Sequence, residues 1–284
     1  MRVAARTRDV DAGDGLTLRI ELSGTGPPLL LLHGFTGSAA TWDSLREALD
    51  ARFTIIAVDL PGHGRSSSPA DYARFALHRL ADDLASVLDT LGFERAGVLG
   101  YSMGGRAALE FALHYPARVA ALLLESASPG IEDQHERAAR VDSDMALADM
   151  IERDGMEAFV QFWEHLPIWS SRASLGVDER AAVRRQRLEN DPAGIANSLR
   201  GAGAGARPSV IGKLGTLTMP TLLVAGSLDP KFVALARAMH DGIPDSRVAV
   251  VKGAGHTIHL ERPAEFGELA DAFFTRVALS HGWV

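Results

Sequence analysis

Short apolar segments alternate with segments of helical periodicity along most of this chain, and this alternation constrains the fold more than any other feature. Several of the apolar segments have almost no polar position, which is typical of parallel strands covered by helices on both faces. The predicted strands span residues 17–22, 29–32, 53–58, 96–99, 119–124, 221–225 and 247–251. The predicted helices span residues 42–49, 75–91, 103–115, 230–240 and 264–277. Strands and helices in this order predict an α/β fold with a mostly parallel, doubly wound sheet.

The alternation is interrupted between residues 130 and 214. This segment has a mostly helical pattern and contains many charged residues as well as Trp163 and Trp169. Open α/β sheets bind ligands at the carboxyl ends of their strands, so a helical insertion between two strands is well placed to cover the site. We therefore predict a core formed by residues 1–129 and 215–284, and a helical lid formed by residues 130–214.

Composition excludes several classes of function. The chain has 36 acidic and 29 basic residues and a formal net charge of −7, whereas a general nucleic-acid-binding protein presents a basic face. It has no cysteine, which excludes disulfides, thiolate nucleophiles and cysteine-ligated metals. The N-terminal segment lacks the apolar stretch of a signal peptide, and the early apolar run at residues 29–32 is too short to span a membrane. We expect a cytoplasmic protein that neither binds nucleic acid nor inserts into a membrane.

The pentapeptide Gly100-Tyr-Ser-Met-Gly104 matches the pattern G-x-S-x-G and has the context that this pattern requires. A predicted strand precedes it and a predicted helix follows it, so the two glycines permit a tight turn that raises the Ser102 hydroxyl above the sheet edge. A serine hydroxyl without a base is a poor nucleophile and a poor proton carrier. Ser102 is therefore a candidate catalytic residue that needs a histidine partner.

His256 is the candidate base, because it lies in a loop directly after a predicted strand and near the last helix. His259 is the alternative, and His33 and His63 lie in other loops. The acid that orients the histidine is expected at the end of another strand, between the serine and the histidine in chain order. Asp229 occupies such a position and is also a suitable N-cap for a helix that begins at Pro230, and the two roles are compatible.

Glu125, at the end of an earlier predicted strand, is the alternative acid. Two backbone N–H groups are candidates for an oxyanion hole, those of Phe35 and Met103. Phe35 follows a strand at the same sheet edge, and Met103 begins a helix whose dipole favours negative charge.

These motifs give the chain a clear family resemblance. It resembles the α/β-hydrolase fold superfamily over nearly its whole length, through HGF at residues 33–35, DLPGHGRS at 59–66, GYSMGGR at 100–106, Asp229 and AGH at 254–256. The resemblance implies an α/β-hydrolase fold. The reaction stays open at this level, because the superfamily contains esterases, lipases, carbon–carbon hydrolases, dehalogenases, lyases and non-catalytic receptors.

A narrower resemblance is to the 2-succinyl-6-hydroxy-2,4-cyclohexadiene-1-carboxylate synthases, the pyruvate-eliminating lyases of menaquinone biosynthesis. The matching segments are HGFTGS at 33–38, GYSMGGR at 100–106, ERAAR at 136–140, RLENDPAGIANSL at 187–199 and DPKF at 229–232. Segments of the predicted lid are among them, and lids are where unrelated members of the superfamily differ most. The resemblance implies a small-molecule polycarboxylate substrate, 2-succinyl-5-enolpyruvyl-6-hydroxy-3-cyclohexene-1-carboxylate.

A polycarboxylate substrate requires fixed positive charge, which arginine supplies with bidentate geometry. Arg106 is one helical turn after Ser102, and the resemblance implies that Arg140 and Arg187 face the substrate. Lys231 is a weaker candidate than these three arginines for a contact with the substrate. Tyr101, beside the nucleophile, and Trp163, which the resemblance places in the pocket wall, can equally belong to the core.

The residues fit more than one reaction. In the lyase, Ser102 acts as a base on a ring proton; a serine carboxylesterase or a carbon–carbon hydrolase would use the same three residues for nucleophilic or water attack. A ligand-binding relative without turnover is a third possibility. The histidine and acidic residues have no metal-ligand spacing of a known kind, and we expect neither a metal nor an organic cofactor.

Overall fold

A computed structural model describes residues 5–283 of the chain. Its centre is one sheet of eight strands in the order β1-β2-β4-β3-β5-β6-β7-β8. The strands are β1 Arg6–Asp11, β2 Thr17–Gly24, β3 Pro28–Leu32, β4 Thr54–Val58, β5 Ala96–Tyr101, β6 Val119–Glu125, β7 Thr221–Gly226 and β8 Ser246–Val251. The pairs β1–β2 and β2–β4 are antiparallel, and all other neighbours are parallel. The predicted α/β class and mostly parallel sheet are confirmed.

All seven predicted strands are present, with ends that differ from the predictions by one or two residues. The sequence analysis missed β1, because five of its six residues are exposed and its sequence RTRDVD has no apolar run. β1 lies at the edge of the described sheet, beside β2, and nothing in the hydrophobic pattern indicates it.

Within residues 5–283, nine α-helices follow or connect these strands. They are α1 Asp43–Leu49, α2 Leu77–Leu91, α3 Met103–His114, α4 Gln134–Glu164, α5 Val177–Leu188, α6 Pro192–Ala202, α7 Pro230–Gly242, α8 Ile258–Glu261 and α9 Pro263–His281. The helix predicted over residues 42–49 is α1, which begins at Asp43. A 3-10 turn, Ala39–Trp42, directly precedes it. α4 is broken at Gly155, whose φ of 81° is outside the helical range.

Two apolar clusters cover the two faces of the sheet. One cluster packs α2, α3 and α7 against one face, with Phe111 and Leu84 among its fully buried members. The other packs α1 and α9 against the opposite face and includes Trp42, Phe274 and Trp283. Since both faces are covered, the central strands β3, β5 and β6 are buried at every position. This explains why they form continuous apolar runs in the sequence.

Helices α4, α5 and α6 lie between β6 and β7 in the chain, within the predicted lid. They have a small apolar cluster of their own, in which Ile151, Phe159 and Ile195 are fully buried. Phe35, from the loop after β3, packs against this cluster. The lid is thus in contact with the loop that carries one of the oxyanion-hole candidates. Its predicted boundaries, residues 130 and 214, stay a prediction. Among the helices that the structure describes, none has the length and apolarity needed to cross a bilayer.

Candidate active site

Ser102 occupies the sharp turn between β5 and α3. Its backbone has φ 52° and ψ −107°, a conformation that non-glycine residues rarely adopt. The turn is tight: a Cβ on Gly104 would lie 2.2 Å from the Leu32 carbonyl oxygen, and one on Gly100 would lie 2.3 Å from the Gly104 carbonyl oxygen. Only glycine allows α3 to begin this close to the ends of β3 and β5. The sequence pattern therefore corresponds to a strained strand-to-helix turn with the serine at its apex.

The three side chains that the sequence analysis selected form one hydrogen-bonded chain. Ser102 Oγ lies 3.1 Å from His256 Nε2, and His256 Nδ1 lies 2.8 Å from Asp229 Oδ2. The carboxylate accepts from Nδ1–H, which leaves Nε2 as the acceptor for the serine hydroxyl. The arrangement can therefore move the serine proton to His256 while Asp229 stabilises the resulting imidazolium.

His256 is buried, and rings surround it. Phe232 lies 4.4 Å away between ring centroids, and Tyr101 and Trp169 each lie 5.5 Å away. Asp229 also accepts a long hydrogen bond, 3.4 Å, from the Phe232 backbone N–H at the start of α7. One oxygen of the Asp229 carboxylate thus caps α7, and the other orients His256. This double contact fixes the side chain, and the imidazole with it.

The alternative histidine and the alternative acid pair with each other. His259 Nδ1 lies 2.9 Å from both carboxylate oxygens of Glu125, and the His259 backbone N–H donates to Glu125 Oε1 at 3.0 Å. Both side chains are buried. This second pair joins the end of β6 to α8, three residues after His256.

Phe35 and Met103 lie in the wall of the cavity that contains Ser102. Met103 is the first residue of α3, so its N–H has no partner within the helix. Two contacts hold the loop of Phe35 in place. The Phe35 ring contacts Trp163 of the lid at 5.4 Å between ring centroids, and His33, two residues earlier, accepts a hydrogen bond at 3.0 Å from the Leu60 N–H.

The cavity next to Ser102, which we call the Ser102 chamber, has a volume of about 340 Å³. Of the predicted binding residues, Arg106, Arg140 and Trp163 line it, and so does Lys231. Its lining also includes one carboxylate, that of Asp144. Three cationic side chains against one carboxylate leave this chamber positive, which favours anionic ligands.

Two of these cations have partners within the lid. Arg106 Nη1 donates to the carbonyl oxygens of Ala202 and Gly203 at 2.7 and 2.8 Å, at the end of α6. Arg140 Nε donates to Asp144 Oδ1 at 2.8 Å. Burial, followed by repulsion from Arg140, lowers the pKa of Arg106 to about 10, so Arg106 keeps its charge at neutral pH. Arg106 thus combines a lid contact with a charge in the chamber wall.

Arg187 and Tyr101 lie elsewhere. They line an adjoining cavity of about 300 Å³, which we call the side chamber. Phe35 and Trp169 belong to the walls of both chambers. The structure therefore separates the predicted binding residues into two neighbouring compartments, a division that the sequence analysis did not anticipate.

Among the residues of these walls that sequence reasoning missed are Arg172 and Phe232. Arg172 lines the side chamber, and its guanidinium lies 4.0 Å from the ring centroid of Trp169. Phe232 lines the Ser102 chamber beside His256. Phe232 lies within the DPKF segment, which was a usable signal. Arg172 is one of many lid arginines, and no local pattern distinguishes it.

Comparison with known proteins agrees with this geometry. The family described as the alpha/beta hydrolase fold matches residues 27–263, and the chain belongs to that family. A Bacillus subtilis protein, provisionally named a 2-succinyl-6-hydroxy-2,4-cyclohexadiene-1-carboxylate synthase, is 41% identical over 95% of this chain and 99% of its own length. The synthase of that name from Enterobacter is 31% identical over 84% of this chain and 88% of its own. Within the fold family, the chain belongs to this family of synthases.

A solved structure points to the same family. The structure of MenH from S. aureus superposes with a TM-score of 0.87 and 34% sequence identity, and the match covers 91% of this chain and 98% of that one. The match extends over the predicted lid as well as the core, because so little of either chain lies outside it. The predicted resemblance to α/β hydrolases and to these synthases is confirmed.

Proposed function

We propose that this protein is a carbon–oxygen lyase that eliminates pyruvate from 2-succinyl-5-enolpyruvyl-6-hydroxy-3-cyclohexene-1-carboxylate. The product is 2-succinyl-6-hydroxy-2,4-cyclohexadiene-1-carboxylate, the compound after which the related synthases are named. One observation carries the proposal beyond that family membership: the serine, histidine and aspartate chain opens into a chamber with three cationic side chains.

The names of substrate and product define the bond changes. The proton leaves C2 of the ring, which is acidic because the succinyl ketone is attached there. Its electrons form the C2–C3 double bond, the C3–C4 double bond moves to C4–C5, and the C5–oxygen bond breaks. The leaving group is enolpyruvate, which takes up a proton at its methylene carbon to become pyruvate. The reaction needs a base at C2 and a stabiliser for the enolate oxygen, and it involves no change of oxidation state.

Ser102 can act as that base. Its hydroxyl proton passes to His256 Nε2 as Oγ takes the proton from C2, and Asp229 holds the imidazolium that results. Asp229 and the rings around His256 hold the base in place, which contributes through orientation. No acyl-enzyme is required. The same triad is equally suited to ester hydrolysis, so the two reactions must be distinguished by assays with the substrate of each.

Negative charge develops on the succinyl ketone oxygen as the proton leaves. The N–H groups of Phe35 and Met103 are the proposed donors to this oxygen, and donors that are fixed before the reaction stabilise such charge effectively. Arg106 and Arg140 are proposed to hold substrate carboxylates in the Ser102 chamber. Tight binding of these carboxylates does not by itself accelerate the chemical step, but it places C2 against Ser102.

The test is pyruvate release from freshly prepared substrate, measured with a coupled lactate dehydrogenase assay. The wild-type protein should release pyruvate, Ser102→Ala should lose on the order of 10³-fold or more in kcat, and Arg106→Ala should raise KM. Arg153→Ala, at an exposed pair with Asp154, is the control and should behave as wild type.

The competing activity is measured in parallel. Absence of pyruvate release, together with Ser102-dependent cleavage of a neutral p-nitrophenyl ester, would replace the lyase by a carboxylesterase. Tight binding of the substrate with neither activity would instead indicate a ligand-binding protein.

A further inference from the structure

The side chamber contains two arginine side chains whose positive charges are incompletely neutralised. Arg187 is buried, and its Nη1 lies 3.2 Å from Glu164 Oε1. That carboxylate is shared, because its other oxygen lies 2.6 Å from Arg184. Arg172 donates from Nε to the hydroxyl of Thr257 at 3.1 Å, and its Nη1 is buried without a hydrogen-bond partner among residues 5–283. A buried donor without an acceptor is costly, so this one is a candidate ligand contact.

Both guanidiniums pack against the same indole ring. Arg172 lies 4.0 Å and Arg187 5.5 Å from the centroid of Trp169. Burial and then the charge of Arg172 lower the pKa of Arg187 to about 10, and burial also lowers the pKa of Arg172. Both remain charged at neutral pH. Two like charges held close together away from water are relieved by an anion placed between them.

Two further residues with hydrogen-bond donors, Tyr101 and Trp169, line the side chamber. The indole Nε1 of Trp169 is buried without a hydrogen-bond partner in the described part of the chain. Burial lowers the pKa of Arg172, and the interaction with Tyr101 acts in the opposite direction and raises it. The ring of Trp169 also forms part of the wall of the Ser102 chamber. Because Phe35 and Trp169 line both chambers, a ligand that extends past these two side chains would contact Arg172 and Arg187 with one end while its other end lies at Ser102.

We propose that Arg172, together with Arg187, binds the terminal carboxylate of the substrate's succinyl arm in the side chamber. The proposal rests on the proposed function, which supplies the arm. Of the three substrate carboxylates, one is attached directly to the ring and one leaves with pyruvate. Only the succinyl carboxylate is separated from the ring by a ketone and two methylenes, so it can extend past Phe35 and Trp169 while the ring stays at Ser102. Arg172 is then a residue that selects a 4-oxo-carboxylate arm.

A binding experiment tests this without turnover. The probe is 4-oxo-4-phenylbutanoate, which carries the same arm on a ring, and the neutral reference is 1-phenylbutan-1-one. Quenching of tryptophan fluorescence by each compound is measured for the wild type, Arg172→Gln and Arg185→Gln. Arg185 is exposed on α5, two residues before Arg187, and serves as the matched control.

The keto acid should bind the wild type and Arg185→Gln equally, and Arg172→Gln should bind it roughly tenfold or more weakly, because a charge-assisted contact is lost. The neutral ketone should bind all three alike. Equal binding of acid and ketone by the wild type, no measurable binding of the acid, or no effect of Arg172→Gln would each overturn the proposal.

Turnover separates carboxylate binding from support of the His256 loop. Arg172→Gln should raise KM for the full substrate roughly tenfold and change kcat much less. Thr257→Val removes the Arg172–Thr257 contact together with the hydrogen bond from the Thr257 hydroxyl to Glu261 Oε1, but leaves the Arg172 guanidinium in place, so it should leave KM near the wild-type value. A fall in kcat with unchanged KM in both variants would assign Arg172 to the His256 loop and contradict the proposal. If the wild type releases no pyruvate, the proposed function fails, and the fluorescence titrations alone decide whether the side chamber binds the arm.

Discussion

Ser102 is held in a backbone conformation that most side chains avoid. Residues in such regions cost roughly 1–3 kcal/mol each and persist where surrounding contacts determine the turn. Here the contacts are those of Gly100 and Gly104, which let α3 begin directly against the ends of β3 and β5. The strain lifts the hydroxyl toward His256 and is therefore tied to the proposed chemistry.

Replacement of Ser102 by glycine should stabilise the protein while abolishing activity. Glycine adopts φ 52° without a Cβ penalty, so Ser102→Gly should raise the free energy of unfolding by about 1 kcal/mol. Ser102→Ala is the control, since it removes the hydroxyl but keeps the Cβ, and should not be stabilised to the same degree. Urea unfolding of the three proteins measures the difference; equal stability of the glycine and alanine variants would argue against strain at this turn.

His33 and His63 are buried histidines that do not belong to the triad. Their ring centroids lie 5.0 Å apart, and burial lowers the pKa of His33 to about 4 and that of His63 to about 3. Both are therefore neutral in the folded protein at pH 5 to 7. In the unfolded chain each has a pKa near 6.5 and takes up a proton as the pH falls below that value. Acidification thus favours the unfolded state. The contribution of the two histidines to the free energy of unfolding rises with pH between about pH 4 and pH 6.5 and is constant above about pH 7.

This linkage predicts a smaller acid sensitivity for His63→Asn. Each buried histidine should contribute a loss of about 2 kcal/mol in the free energy of unfolding between pH 7 and pH 5. Asparagine can keep the hydrogen bond that His63 Nδ1 makes to the Pro61 carbonyl oxygen at 2.9 Å, so the fold should tolerate the change. Denaturant titrations at the two pH values measure the loss. An identical pH 7 to pH 5 difference for variant and wild type would show that His63 does not titrate on unfolding.

At the scale of elements, the contact between α3 and the end of β3 leaves no room for a side chain at residue 104. A Cβ at residue 104 would clash with the backbone carbonyl oxygens of Leu32 at 2.2 Å and His33 at 2.4 Å, and neither can move without shifting β3. Gly104→Ala should therefore destabilise the protein by about 2–3 kcal/mol and remove most activity. Gly212→Ala is the matched control because a Cβ there meets nothing within 4 Å. Thermal unfolding and the pyruvate assay test both variants, and a Gly104→Ala protein with normal stability would contradict the close approach.

The elements were predicted from sequence to very different degrees. β3, β5, β6 and β7 are buried on both faces, so their apolar runs indicate them directly. β1 could not be predicted, because an exposed edge strand gains stability from pairing with β2 and not from its own side chains.

At the scale of the whole molecule, Arg106 joins the core to the lid. It stands on α3 of the core, and its Nη1 donates to two carbonyl oxygens at the carboxyl end of α6. A cation at that position also complements the helix dipole. The same residue lines the Ser102 chamber, so lid position and chamber charge depend on one side chain.

Arg106→Lys should therefore separate charge from lid attachment. Lysine keeps the positive charge, but it cannot reproduce the planar guanidinium contact with both carbonyls. We expect a loss of about 1–2 kcal/mol in stability, faster amide hydrogen exchange at the end of α6, and a several-fold rise in KM. Arg153→Lys at its exposed pair is the control. Unchanged exchange in α6 would show that the two carbonyl contacts do not hold the lid.

The sequence by itself determined the fold class and the candidate triad. Buried parallel strands need continuous apolar runs, and the loops that follow them meet at one sheet edge, so Ser102, Asp229 and His256 could be placed together from chain order. Only the tertiary structure divided the binding residues between two chambers and brought Arg172 beside Arg187. The physical reason is that α4 and α5 are rich in charged residues and Arg172 stands in a 3-10 segment between them, so helical periodicity does not indicate which arginines point inward. Packing of the lid against Phe35 and Trp169 determines which arginines line the chambers, and these contacts join residues that are far apart in the chain.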